Sequence, residues 1–275
     1  MADIVSEQPA PLTRPTPEPS VSRRKFAVAY LALAAIVGAA VGLVVVFAGD
    51  DSGGNSTRQQ AFSSWAPETT GTLGVREIAR HVSSQYHLEN GALFTSVIAG
   101  PMQIESSGGP IRVSAILIRS GMAGVKQERI DIAFPQSGVF YQLAGTAQNR
   151  SIPGQATLAR GQLVRREALE LALYTFRSMP QADYVVAFMP PPAGVPQTSP
   201  LFNRAIFLPR TALARELHAP LESTLPPGET KITPTGLSPT QANGIEALTA
   251  GRVFHWDFQQ APDQSAWLVL SPVTG

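Results

Sequence analysis

The 275-residue chain contains no cysteine. That absence removes disulfide staples, thiolate zinc sites, thiol redox chemistry, a cysteine nucleophile and lipid attachment through a lipobox. A folded domain in this chain must therefore stand on its apolar core alone. Charge is sparse as well: 15% of residues are Asp, Glu, Lys or Arg, and after residue 50 the only lysines are Lys126 and Lys231. Residues 50–275 carry 17 basic and 17 acidic groups with no long basic tract. This neutrality argues against phosphate-backbone binding as their main task, and no nucleic-acid partner is expected. Aromatic residues make up 7% of the chain, few enough to be committed mostly to the core. The sequence also lacks a GxSxG elbow, a GxxxxGK[ST] phosphate loop, HExxH, a paired-glycine dinucleotide fingerprint and a calcium loop. No cofactor is expected, and the case for an enzyme is weakened, although catalytic sets also assemble from distant residues.

What the chain does have is an uncharged apolar run from Phe26 to Ala48, directly behind Arg23, Arg24 and Lys25 and followed by Asp50 and Asp51. As a helix rising 1.5 Å per residue it spans a hydrocarbon layer of roughly 30 Å with a little tilt. The basic triplet holds the N-terminus in the cytoplasm and sends the C-terminal part across the membrane. A cleaved signal is the rival reading, with Val46 and Ala48 small enough for a cleavage site before Gly49. Residues Ser22–Phe26 also resemble part of a twin-arginine export signal, without its Leu-Lys continuation. Signal cores usually hold about 7–15 apolar residues, so the length favours a retained anchor. Within it, Gly38 and Gly42 form a GxxxG pair, a spacing that lets two helix backbones approach and suggests a homodimer through the membrane.

The flanks divide the chain into four parts. Residues 1–25, with Pro9, Pro11, Pro15, Pro17 and Pro19, form a tail expected to be extended and disordered on the cytoplasmic side. Residues 26–48 are the span, 49–64 a polar stalk, and 65–275 an extracytoplasmic domain large enough for one core.

Periodicity gives this domain an α+β character: a mixed, mainly antiparallel sheet with two or three packed helices, preceded by the single N-terminal transmembrane helix. Val75, Ile78, Val82 and Tyr86 recur at helical spacing, with a stop at 89–91. Strands are expected at 92–99, 111–119, 129–134 and 139–144, separated by turn-formers. The longest helix runs over 156–179, with Leu169, Leu173 and Phe176 as its stripe and Arg166 and Glu170 paired on its outer side. Strands at 184–189 and 205–208, a helix over 211–217 and an irregular 221–240 lead to a closing hairpin, 252–259 with 266–271. In the hairpin's first strand Phe254, Trp256 and Phe258 share one face and His255 and Asp257 the other.

Two polar groupings are candidates for chemistry. His81, His87 and Glu89 combine imidazole and carboxylate, the pairing that binds zinc or moves a proton. On an ideal helix, though, His87 lies about 240° round from His81. His255 and Asp257 fall side by side on one strand face, where a carboxylate can orient an imidazole and a distant serine, Ser83, Ser84 or Ser271, can complete a nucleophilic set. The opposing view is a solvated face behind an aromatic core. The expected partners are the lipid bilayer and another envelope protein. The reading that unites these features is a membrane-anchored, non-catalytic accessory or interaction module of a bacterial-type envelope. A tethered hydrolase with a histidine-centred site and a structural envelope protein are the alternatives.

Overall fold

The computed structural model describes residues 62–104, 109–120, 129–199, 201–227 and 232–273. The candidate span 26–48, with Gly38, Gly42 and the Arg23, Arg24 and Lys25 triplet, lies outside the described residues. Among the described residues no helix is long and apolar enough to cross a membrane.

The described part is an α+β fold. Its elements are α1 (Gly71–Ser83), β1 (Ser96–Ala99), β2 (Gln103–Ile104), β3 (Ile111–Ser120), β4 (Arg129–Ala133), β5 (Gly138–Ala144), α2 (Leu158–Ser178), β6 (Tyr184–Phe188) and β7 (Arg204–Pro209). Two one-turn helices follow, α3 (Ala214–Leu217) and α4 (Leu221–Thr224), then α5 (Pro239–Thr249), β8 (Val253–Gln260) and β9 (Ala266–Pro272). The strands form one mixed sheet in the order β1-β5-β6-β7-β8-β9-β3-β2, with β4 also pairing β3. β5 runs parallel to β6, as a strand–helix–strand crossover through α2 requires, and β9 runs parallel to β3. The remaining pairs are antiparallel.

Two cores lie on the two faces of this sheet. Over β1, β5, β6 and β7, the residues Tyr141, Leu143, Val185, Ala187, Ile206 and Leu208 pack under α1, α2 and α5. On the other face Phe140, Tyr184, Val186 and Phe207 meet Ile116, Ile118, Trp256, Leu268 and Leu270 from the far strands. That contact requires the sheet to roll toward itself. The chain makes the same point: a three-residue 3₁₀ turn, Pro135–Ser137, carries it from β4 at one side of the sheet to β5 at the other. Gly138 permits the roll. A Cβ there would sit 2.1 Å from the Tyr184 ring, whose hydroxyl donates to the Phe134 carbonyl at 2.7 Å. Phe188 and Trp256 meet edge to face inside, with ring centroids 5.3 Å apart.

Three local expectations change. α1 stops at Ser83 because Tyr86 leaves the helix, bridges Ile232 and buries its hydroxyl against α2. Residues 239–249 are helical, started by Pro239 at the first position and a capping box in which Ser238 and Gln241 satisfy each other's backbone N–H groups. Packing also begins before residue 65: Phe62 is buried edge-on to Tyr174, and Ser63 bonds the Tyr174 hydroxyl.

Candidate functional site

α2 starts at Thr157, whose hydroxyl accepts from the Arg160 N–H. Leu163, Val164, Ala168, Leu169, Leu171, Ala172, Leu173 and Phe176 then fill every side of the cylinder. A helix apolar on so many sides leaves little outer face, so three of its charged residues lie inside while Arg160, Arg165 and Arg177 stay partly exposed. Arg166, Glu167 and Glu170 are all buried, which overturns the expected surface pair of Arg166 and Glu170. The hydroxyl of Thr95 donates to Glu167 Oε1 at 2.5 Å, and that of Tyr86 to Glu170 Oε2 at 2.5 Å. Gln85 reaches Glu170 Oε1 at 3.4 Å, and Arg166 donates to the Pro226 carbonyl at 2.7 Å. Arg166 Nε and Glu167 Oε2 have no hydrogen-bond partner among the described residues.

Burial governs the electrostatics of this cluster. It pushes the Glu167 carboxyl up to about 8, against the opposing Thr95 bond and with help from the neighbouring Glu170. It also raises Glu170, though the Tyr86 bond and the Arg166 guanidinium hold that group down. The Tyr86 phenol lies well above its ordinary value, chiefly from desolvation and then from Glu170. Such a cluster stores a proton at neutral pH. Its carboxylates are closed to solvent, and their bonds tie segment 85–95 to α2.

His81 stands at the rim of this cluster. Its Nε2 is 3.2 Å from Gln85 Nε2, its ring stacks on Trp65 with centroids 3.7 Å apart, and partial burial lowers its pKa. The other two members of its expected group go elsewhere. His87 Nδ1 contacts the Gln85 carbonyl, while Glu89 lies 3.9 Å from Arg160 Nη2. Among the described residues no three His, Asp or Glu converge to hold a metal.

His255 and Asp257 do share one face of β8, opposite the aromatic face. Cross-strand pairing sets Ser271 and Arg204 on either side of His255, and Val269 beside Asp257. The Asp257 carboxylate turns back to the Phe258 N–H at 2.8 Å, and no bond links it to His255. Register brings histidine and serine alongside each other, but the third member orients nothing. Ser83 and Ser84 bond the carbonyls of Arg80 and His81 in the last turn of α1.

Two surface features remain. A cleft of about 400 Å³ opens beyond the carboxyl ends of β5 and β6, lined by Ala147–Asn149, Ser151 and Pro192–Pro196. The second is β4. It pairs β3 on one side, and its other side has no partner among the described residues. Ile130, Ile132 and Phe134 alternate along one face of it and are 48%, 60% and 53% exposed. The apolar row continues inward, since Leu117 lies opposite Ile132 and Val269 beside Leu117.

Sequence reasoning missed both the carboxylate cluster and this edge. The first had a signal, because residues 163–176 leave no polar face for Arg166 and Glu170. The second had none, since alternation in 129–134 does not say which strand lies at the edge. No family model matches the chain, and no curated protein or solved structure matches it.

Proposed function

We propose that the chain is a single-pass, membrane-anchored interaction module of a bacterial-type envelope, with the domain outside the cytoplasmic membrane and no catalytic task. The apolar row on the open edge of β4 carries this reading. Large apolar side chains on an unpaired strand edge favour docking, because backbone hydrogen bonds and side-chain burial are satisfied together. Three such residues within five positions, on a domain too sparsely charged to steer partners over distance, fit recognition by contact. The charge-free run and the basic triplet before it supply the topology.

The absence of native cysteine makes the tests clean. Single cysteines at Ser6 and Leu158 are expected to label from the cytoplasmic and outer sides respectively; labelling of both from one side contradicts the topology. A photo-crosslinking residue at Ile132 is expected to give a discrete adduct in cells, and one at Leu158, also exposed, is not. No adduct at Ile132 contradicts the docking role. The tethered-hydrolase alternative draws on the register of His255 with Ser271. It requires Asp257 to leave the Phe258 N–H, and His255→Ala is its direct test.

A further inference from the structure

We propose that the occupant of the β4 edge is β4 of a second copy, paired antiparallel about a twofold axis at Ile130. This rests on reading that edge as a docking surface, and it specifies the partner. A strand pairing with itself antiparallel matches like faces only when the axis passes through a residue, so few registers are open to Arg129–Ala133. An axis at Asp131 sets two Asp131 carboxylates directly opposite each other, which is destabilising. An axis at Ile132 sets each Asp131 against Ala133 and carries the pairing into the Pro135–Ser137 turn, where proline has no N–H to donate. An axis at Ile130 sets Arg129 opposite Asp131 twice, once in each direction, with Ile130 meeting Ile130.

The charges for that exchange are ready. Arg129 Nε now bonds Asp131 Oδ1 of its own strand at 3.0 Å, and both side chains are exposed. Two residues apart on one strand, they lie on one face, so the pairing replaces each internal partner with an equivalent one from the other copy. On the opposite face Ile130 leaves water, and Ile132 becomes the diagonal neighbour of the other copy's Ile130. The paired segment is much shorter than a typical specific interface. Two chains confined to one membrane meet at a high effective concentration, which offsets the small contact. The association therefore belongs to the anchored chain.

The test uses the full-length chain in its membrane under mild oxidation. With Ile130→Cys the two sulfurs face each other within disulfide reach, whereas in this register two Ile132→Cys positions lie about four residues apart along the pair. The expected result is a disulfide dimer at least tenfold more abundant for Ile130→Cys than for Ile132→Cys or the exposed control Leu158→Cys. In the Ile130→Cys background, Asp131→Arg is expected to reduce that dimer at least tenfold, and adding Arg129→Asp to restore it. Preferential crosslinking at Ile132 or Asp131 overturns the register. Failure of Ile130→Cys together with a persistent Ile132 adduct to a different protein overturns self-pairing and leaves the docking edge standing. Loss of every adduct overturns both.

Discussion

One face of the sheet is treated in two ways. Over β1, β5, β6 and β7 it is roofed by α1, α2 and α5, and even Arg166, Glu167 and Glu170 are enclosed. From β8 on, the same face carries His255, Asp257, Trp267, Val269, Ser271, Leu117, Ile130 and Ile132, of which Val269 is buried, and among the described residues no helix roofs it. The roofed half is where the fold is made. On the open half, the rolled inner core buries Trp256, Leu268 and Ile116 from the other side, and on the outer face exposure of large apolar residues is confined to the β4 edge, at Ile130 and Ile132. On the proposed reading, an apolar residue serves stability under the roof and association on the β4 edge.

The largest test of that contrast is a pair of truncations. Phe176→Ala, under the roof, is expected to cost about 3–5 kcal/mol in urea unfolding. Ile132→Ala, on the open edge, should stay within about 0.5 kcal/mol. Equal costs would break the comparison.

A slightly smaller effect is expected from pH. Glu167 titrates near 8 in the folded state, above its unfolded value near 4.5, so the folded state binds the extra proton between those limits. Stability is then fullest below about pH 4.5 and declines as pH rises to about 8. At roughly 1.4 kcal/mol per pKa unit, the loss is on the order of 4 kcal/mol. Glu167→Gln should flatten the profile over that window and leave the variant the more stable form at pH 8. A wild-type profile that rises from pH 5 to 8 would contradict the buried neutral acid.

Next in size, Tyr86→Phe removes the donor to Glu170 Oε2 and is expected to cost about 1–3 kcal/mol. The smallest effect belongs to the open half: His255→Ala should change stability by less than about 0.5 kcal/mol, because its ring makes no hydrogen bond among the described residues. A cost above about 2 kcal/mol would mean that this face of β8 is structural.

These contrasts also explain what could be read from the sequence. The hairpin of β8 and β9, with Phe254, Trp256 and Phe258 inward, was legible because strand alternation is local. So were the long helix and β3–β7. The inside–outside assignment of α2 failed where a pairwise habit, Arg166 with Glu170 at i, i+4, was preferred to the whole helical wheel. α5 was missed although Ser238-Pro239 and Gln241 form a capping box, because the Pro- and Thr-rich segment before it read as loop. The roll of the sheet depends on Tyr184 lying over Gly138, a contact 46 residues apart that no local pattern encodes. The His255–Ser271 adjacency likewise came from register.

The most direct measurement is hydrogen exchange of the β4 amides in the full-length chain reconstituted in lipid vesicles, compared with Asp131→Arg under the same conditions. Slow exchange on the outward edge of Arg129–Ala133, lost in the variant while the α2 amides stay protected in both, is the predicted result. Fast and equal exchange of those β4 amides in both proteins, with α2 protected, would contradict a docked edge.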